Sequence, residues 1–142
     1  MKKGFTLLEL LIVVVILGVL ALIAAPALLN ATDKSKDAAV KQNIASAAST
    51  LSGKFATEAD TATAITATRT ALAALGTVNP VTGTGSAYAA GATPTLGQVG
   101  ISLGDDGLVA IQGSCKLATA TECVKKVAPP TTAGSLTGLG GN

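Results

Sequence analysis

From Leu10 to Ala25 the chain is one apolar run interrupted only by Gly18, and no ionisable residue stands between Glu9 and Asp33. With Phe5 to Leu8 in front, the segment reaches the roughly 20 residues that a helix needs to cross a bilayer's hydrocarbon core. Such a segment, apolar on every side, cannot serve as one face of a small soluble domain. It has to be covered by lipid or by other helices. The rest of the chain is different material: polar, rich in Ala, Thr and Gly, with a thin scatter of large core formers.

Composition removes several function classes. At 142 residues the chain is long enough for one ordinary domain. Ten basic against eight acidic side chains give a formal net charge of +2, so the field that a phosphate-neutralising nucleic-acid binder needs is missing. DNA is therefore not indicated as a partner. Histidine is absent, and with it the commonest general base and metal ligand. Two cysteines without histidine make no zinc site, and no Ser or Cys stands beside an evident base. The Gly-rich stretches lack the Gly-Lys-Ser/Thr of a phosphate loop. Only Phe5, Phe55 and Tyr88 are aromatic, which is too few for stacking platforms. These features argue against an enzyme, and no cofactor or metal is called for.

Three readings compete for the N-terminus. A cleaved secretory signal would explain Lys2 and Lys3 and the small residues Ala21, Ala24 and Ala25, but its apolar stretch is only 7–15 residues long. A plain membrane anchor fits the length and leaves the carboxylate of Glu9 unexplained, since a charge at membrane depth is costly. The third reading rests on the run Lys2-Lys3-Gly4-Phe5-Thr6-Leu7-Leu8-Glu9-Leu10-Leu11-Ile12. A short basic leader ending in Gly, then Phe-Thr, then an isolated Glu in an apolar stretch, closely resembles the class III signal and N-terminus of type IV prepilins and pseudopilins.

The resemblance covers about the first 30 residues. It implies cleavage between Gly4 and Phe5 by a prepilin peptidase on the cytoplasmic side, methylation of the new Phe5 amine, and assembly through Thr6 and Glu9. Cleavage removes Lys2 and Lys3 and leaves eight basic and eight acidic side chains. Those lysines hold the N-terminus in the cytoplasm, and losing them frees the segment for extraction into a fibre. Glu9, buried in a fibre core, would need a cationic partner. The Phe5 amine of a neighbouring subunit supplies one and fixes axial register, as single buried polar groups do in other helical assemblies. A local pair between residues 5 and 9 of one chain is the alternative.

Pro26 lacks an N–H and crowds the Leu22 carbonyl, so the helix is expected to bend there. By the resemblance, Gly18 to Pro26 would also loosen in the fibre. Beyond it Val40, Ile44, Ala47/Ala48, Leu51 and Phe55 recur at helical period. Asp37 and Lys41 form an i,i+4 pair, and Gly53 marks the expected end. Glu58 to Leu75 reads as a second helix with Gly76 at C′, although Thr61 to Ala64 alternates like a weak strand. Asn79 to Thr95 is loop. Val99 to Leu103 and Leu108 to Ile111, around the Gly104-Asp105-Asp106-Gly107 turn, form the clearest hairpin. Adjacent carboxylates there are more often turn formers than half of a calcium site.

After an export signal, Cys115 and Cys123 are expected to form one disulfide rather than two free thiols. The expected fold is α+β, a long N-terminal helix packed on a small antiparallel sheet with one disulfide, in the ladle form of the resembled family. The expected segments are a leader at 1–4, a membrane and fibre-core helix at 5–29, a head at 30–128 and a flexible tail at 129–142. The expected protein is a type IV pilus subunit, forming a homopolymer for adhesion, twitching motility or DNA uptake. Its implied partners are the peptidase, the assembly platform, ATPases and an outer-membrane pore. It would reside in the inner membrane before assembly and in a surface filament after it. The alternatives are a pseudopilin of a secretion or competence system and, from another class, an uncleaved membrane-anchored binding module.

Overall fold

The computed structural model describes residues 4–119 and 121–130. The leader's first three residues and most of the expected tail, 131–142, lie outside the described residues. Among the described residues two α-helices and three strands follow in the order α1 Leu7–Phe55, α2 Thr61–Ala74, β1 Val99–Leu103, β2 Val109–Gly113 and β3 Val124–Val127. The chain divides into two compact units, Met1–Ser35 and Lys36–Asn142.

In the first unit every described residue from Gly4 to Thr32 is exposed. Leu7 is 82% exposed, Leu22 80% and Leu28 69%, so the apolar surface of this unit is uncovered. α1 is long and apolar enough to cross a membrane. The segment from Gly18 to Pro26 is helical, with Pro26 inside the element.

The second unit builds the core. The C-terminal part of α1 buries Val40, Ile44, Ala47, Ala48 and Leu51, the positions its periodicity singles out. Against them pack Ala64, Ile65 and Leu72 of α2, Val99 and Ile101 of β1, Val109 and Ile111 of β2, and Ala87, Tyr88 and Cys123. Phe55 lies at the border of this cluster, and α1 runs two residues past the expected stop at Gly53. Gly53 has an ordinary helical neighbourhood rather than a capping role, because the last turn continues as Thr57 and Glu58 donate backbone N–H to the Lys54 carbonyl.

α2 begins where a side chain can cap it. Asp60 lies in extended backbone and its carboxylate accepts from Thr63 N–H at 2.8 Å and from the Thr63 hydroxyl at 2.8 Å. That replaces one missing helical partner and decides the Thr61–Ala64 ambiguity for helix. Gly76 follows the helix with φ of 63°. Arg69 ties α2 to β1 by donating to the Ile101 carbonyl.

The sheet is antiparallel in the order β1-β2-β3. β1 and β2 form the expected hairpin, with Ile101 opposite Ile111 and Leu103 opposite Val109, although β2 starts one residue later and runs two further than Leu108–Ile111. β3 was not expected. Its sequence, Val-Lys-Lys-Val, has no period-two alternation, and only pairing with β2, Val109 opposite Val127 through Gln112 opposite Val124, makes it a strand. Gly113 ends β2 against α1. A Cβ there would stand 2.6 Å from Val40 Cγ1 and 2.7 Å from Ile44 Cδ1, so the close approach of sheet and helix excludes a side chain.

Candidate functional site

Two regions carry the chemistry singled out in the sequence, and each is described by itself. At the N-terminus Gly4, Phe5 and Thr6 are non-helical and exposed. The helical ladder starts at Thr6, whose carbonyl accepts from Glu9 N–H at 3.1 Å and Leu10 N–H at 3.3 Å. The Thr6 hydroxyl accepts from Glu9 N–H at 3.3 Å and donates to Glu9 Oε2 at 3.5 Å. Thr6 is therefore the N-cap of α1 and Glu9 its N3 residue, in the Thr-x-x-Glu spacing of a capping box. That spacing is legible in the sequence itself. Phe5, 85% exposed, lies just outside the helix.

Glu9 is the only ionisable side chain within a long apolar surface. Further along α1, Pro26 leaves the Leu22 carbonyl without its helical donor.

In the head, Cys115 and Cys123 form a disulfide with Cα atoms 6.4 Å apart, closing a loop of sequence separation 8. Cys123 is fully buried. The loop is held to α1 by a residue whose weight the sequence did not reveal. Asp37, 5% exposed, accepts backbone N–H from Lys116 at 2.7 Å, Leu117 at 2.8 Å and Ala118 at 2.9 Å. Burial pushes its carboxyl pKa up, but the three backbone donors, helped by the charge of Lys41, outweigh that and hold it below the ordinary value. The expected Asp37–Lys41 attraction is thus secondary, and Asp37 works mainly as a clasp on the disulfide loop. Within that loop Glu122 accepts from Thr119 N–H at 3.0 Å and from its hydroxyl at 3.3 Å. The Thr119 backbone donor, then the charge of Lys41, lowers the Glu122 pKa.

The Asp105-Asp106 turn is spent on structure. Asp106 accepts from Leu108 N–H at 3.1 Å through one oxygen and pairs with Lys126 at 2.6 Å through the other, linking the hairpin to β3.

The first 25 residues match the family model described as the prokaryotic N-terminal methylation motif. The match supports reading the chain as a type IV pilin-like or pseudopilin precursor. No curated protein and no solved structure matches it. The motif marks a class III signal, which implies processing of the precursor by a prepilin peptidase and assembly in a pilus or secretion apparatus. The motif is one found in structural proteins. The exposed apolar part of α1 fits membrane anchoring before assembly.

Proposed function

We propose that this precursor is the subunit of a type IV pilus, a surface filament serving adhesion, twitching motility or DNA uptake. The observation that carries the proposal is the all-round exposure of α1 from Leu7 to Leu29, immediately behind the Gly4–Phe5 junction. Apolar surface of this extent is stable in a bilayer before assembly, and among copies of the same helix afterwards.

In this reading the peptidase cuts between Gly4 and Phe5 and the new Phe5 amine is methylated. In the fibre core the Glu9 carboxylate pairs with the Phe5 amine of a neighbouring subunit, which offsets its desolvation and fixes the axial step. The region from Gly18 to Pro26, weakened by a glycine and by the missing hydrogen bond at Leu22, loosens as the subunit enters the fibre. The assembly platform, ATPases and an outer-membrane pore complete the machinery. The head carries a disulfide and no Trp, which favours a pilus subunit over a secretion pseudopilin.

Intact mass of the protein in filaments sheared from the cell surface tests this. The expected species begins at Phe5, carries one added methyl and gains two hydrogens on reduction. Cleaved protein confined to the membrane fraction would favour the pseudopilin, and an intact leader in every fraction would leave a simple anchor.

A further inference from the structure

We propose that the Asp106–Gly107 peptide is a latent site of backbone isomerisation and that Lys126 of β3 holds it closed. In that reaction the Gly107 backbone nitrogen attacks Asp106 Cγ. A C–N bond forms, the Cγ–OH bond breaks, and the hydroxyl leaves as water with the amide proton. The product is a five-membered imide. Water then adds back at either imide carbonyl, giving aspartate again or isoaspartate, whose main chain runs through Cβ and is one carbon longer. Only water is exchanged, so the residues and geometry of the turn set the rate.

The turn needs the very residue that makes Asp106 labile. Gly107 lies at φ 74°, left-handed backbone that suits glycine, and without a Cβ its nitrogen is the least hindered attacker a chain offers. Both reacting groups are nevertheless engaged. The Gly107 N–H donates to the Gly104 carbonyl at 3.0 Å, which holds its proton and fixes its peptide plane. Asp106 Oδ1 accepts from Leu108 N–H at 3.1 Å, and Oδ2 pairs with Lys126 Nζ at 2.6 Å. The ammonium matters most. Attack succeeds on the acid, which can release its hydroxyl, and is slow on the carboxylate, which would have to release oxide. Lys126, then the Leu108 donor, holds the Asp106 pKa below its ordinary value and so keeps the acid form scarce. Lys126 is itself fixed opposite Ala110 in the β2–β3 ladder, so the guard on the turn comes from a residue 20 positions away. Isoaspartate at 106 would lengthen the turn next to the Leu103–Val109 pair and replace the side chain that Lys126 binds.

The test ages the full chain in detergent micelles at neutral pH and counts isoaspartate at 106 in proteolytic peptides by electron-transfer fragmentation. The same chain, reduced and unfolded in guanidinium chloride, gives the unguarded rate. Native wild type should isomerise about tenfold more slowly than the unfolded chain, since the bond reacts only through local opening. Lys126→Met keeps the stem and removes the ammonium. It should speed the native reaction roughly three- to tenfold, the rise in acid form that a pKa change of up to about one unit makes. Lys126→Arg should stay near wild type. Lys125→Met removes an equal charge from the neighbouring position, opposite Ile111, and should leave the rate unchanged. The Lys126 side chain is 56% exposed, so its replacement leaves the core intact, and the near-ultraviolet signal of Tyr88 checks this for each variant. Native wild type that isomerises as fast as the unfolded chain would overturn the proposal. So would equal rates for Lys126→Met and wild type. Equal acceleration by both methionine variants would also sink it, because net charge rather than this contact would then control the reaction.

Discussion

Replacing Asp37 by alanine should open the disulfide loop and destabilise the head more than any other single polar substitution on α1. The carboxylate takes three backbone N–H groups at 2.7, 2.8 and 2.9 Å while nearly buried itself. Hydrogen bonds to a charged group contribute about 1.5–3 kcal/mol each, and orphaned donors cost about 1–3 kcal/mol. The contributions do not add fully, because Lys116 and Leu117 are exposed and their N–H groups can recover water. A net loss of about 3 kcal/mol follows, which for a unit of this size lowers the unfolding midpoint by roughly 12–24 °C. The single Tyr88, 6% exposed in the core of a chain without Trp, gives a near-ultraviolet signal that reports the head alone. Thermal unfolding of the full chain in detergent micelles, followed at Tyr88, is the assay, with hydrogen exchange at residues 116–118 beside it. The pH dependence supplies a second arm. Asp37 is held below its ordinary pKa in the folded state, so its stabilisation is present above the unfolded value, near 3.9, and is lost as pH falls through the folded value. Asp37→Asn should therefore flatten the acid limb of the stability curve. A midpoint shift below about 2 °C with unchanged exchange at the loop would refute the clasp.

Three further outcomes follow from the same packing. Cys115→Ser with Cys123→Ser should cost about 2.5 kcal/mol through loop-closure entropy, measured as a lowered midpoint that reduction of the wild type reproduces. Gly113→Ala should destabilise by about 1–3 kcal/mol, because its methyl meets Val40 and Ile44 inside 3 Å; a companion Val40→Ala substitution should recover part of the loss. Leu51→Ala, at a position with no exposure, should cost about 2–5 kcal/mol, whereas Leu20→Ala on the uncovered part of α1 should leave the Tyr88 transition where it is.

What could be read from the chain alone was what depends on neighbours in sequence. The apolar run from Leu10 to Ala25 dictates a helix that needs lipid or copies of itself. The 3.6-residue spacing of Val40, Ile44, Ala47/Ala48 and Leu51 announces the buried stripe, and the turn residues 104–107 announce the hairpin. Even the Thr6 cap was written in a four-residue spacing, and the leader motif in a handful of adjacent positions. Tertiary structure decided what joins distant segments. Asp37 looked like half of a surface ion pair because its other neighbours in sequence are ordinary helix residues, while its real partners lie 79 to 81 residues away. β3 has no strand pattern of its own and exists because β2 offers it an edge. Gly113 carries no mark in the sequence, and only the packing of α1 against it requires a glycine there. Periodicity and capping are local energies that the sequence states directly. A clasp, a sheet edge and a close approach are set by which surfaces the fold brings together, and no single segment contains that information.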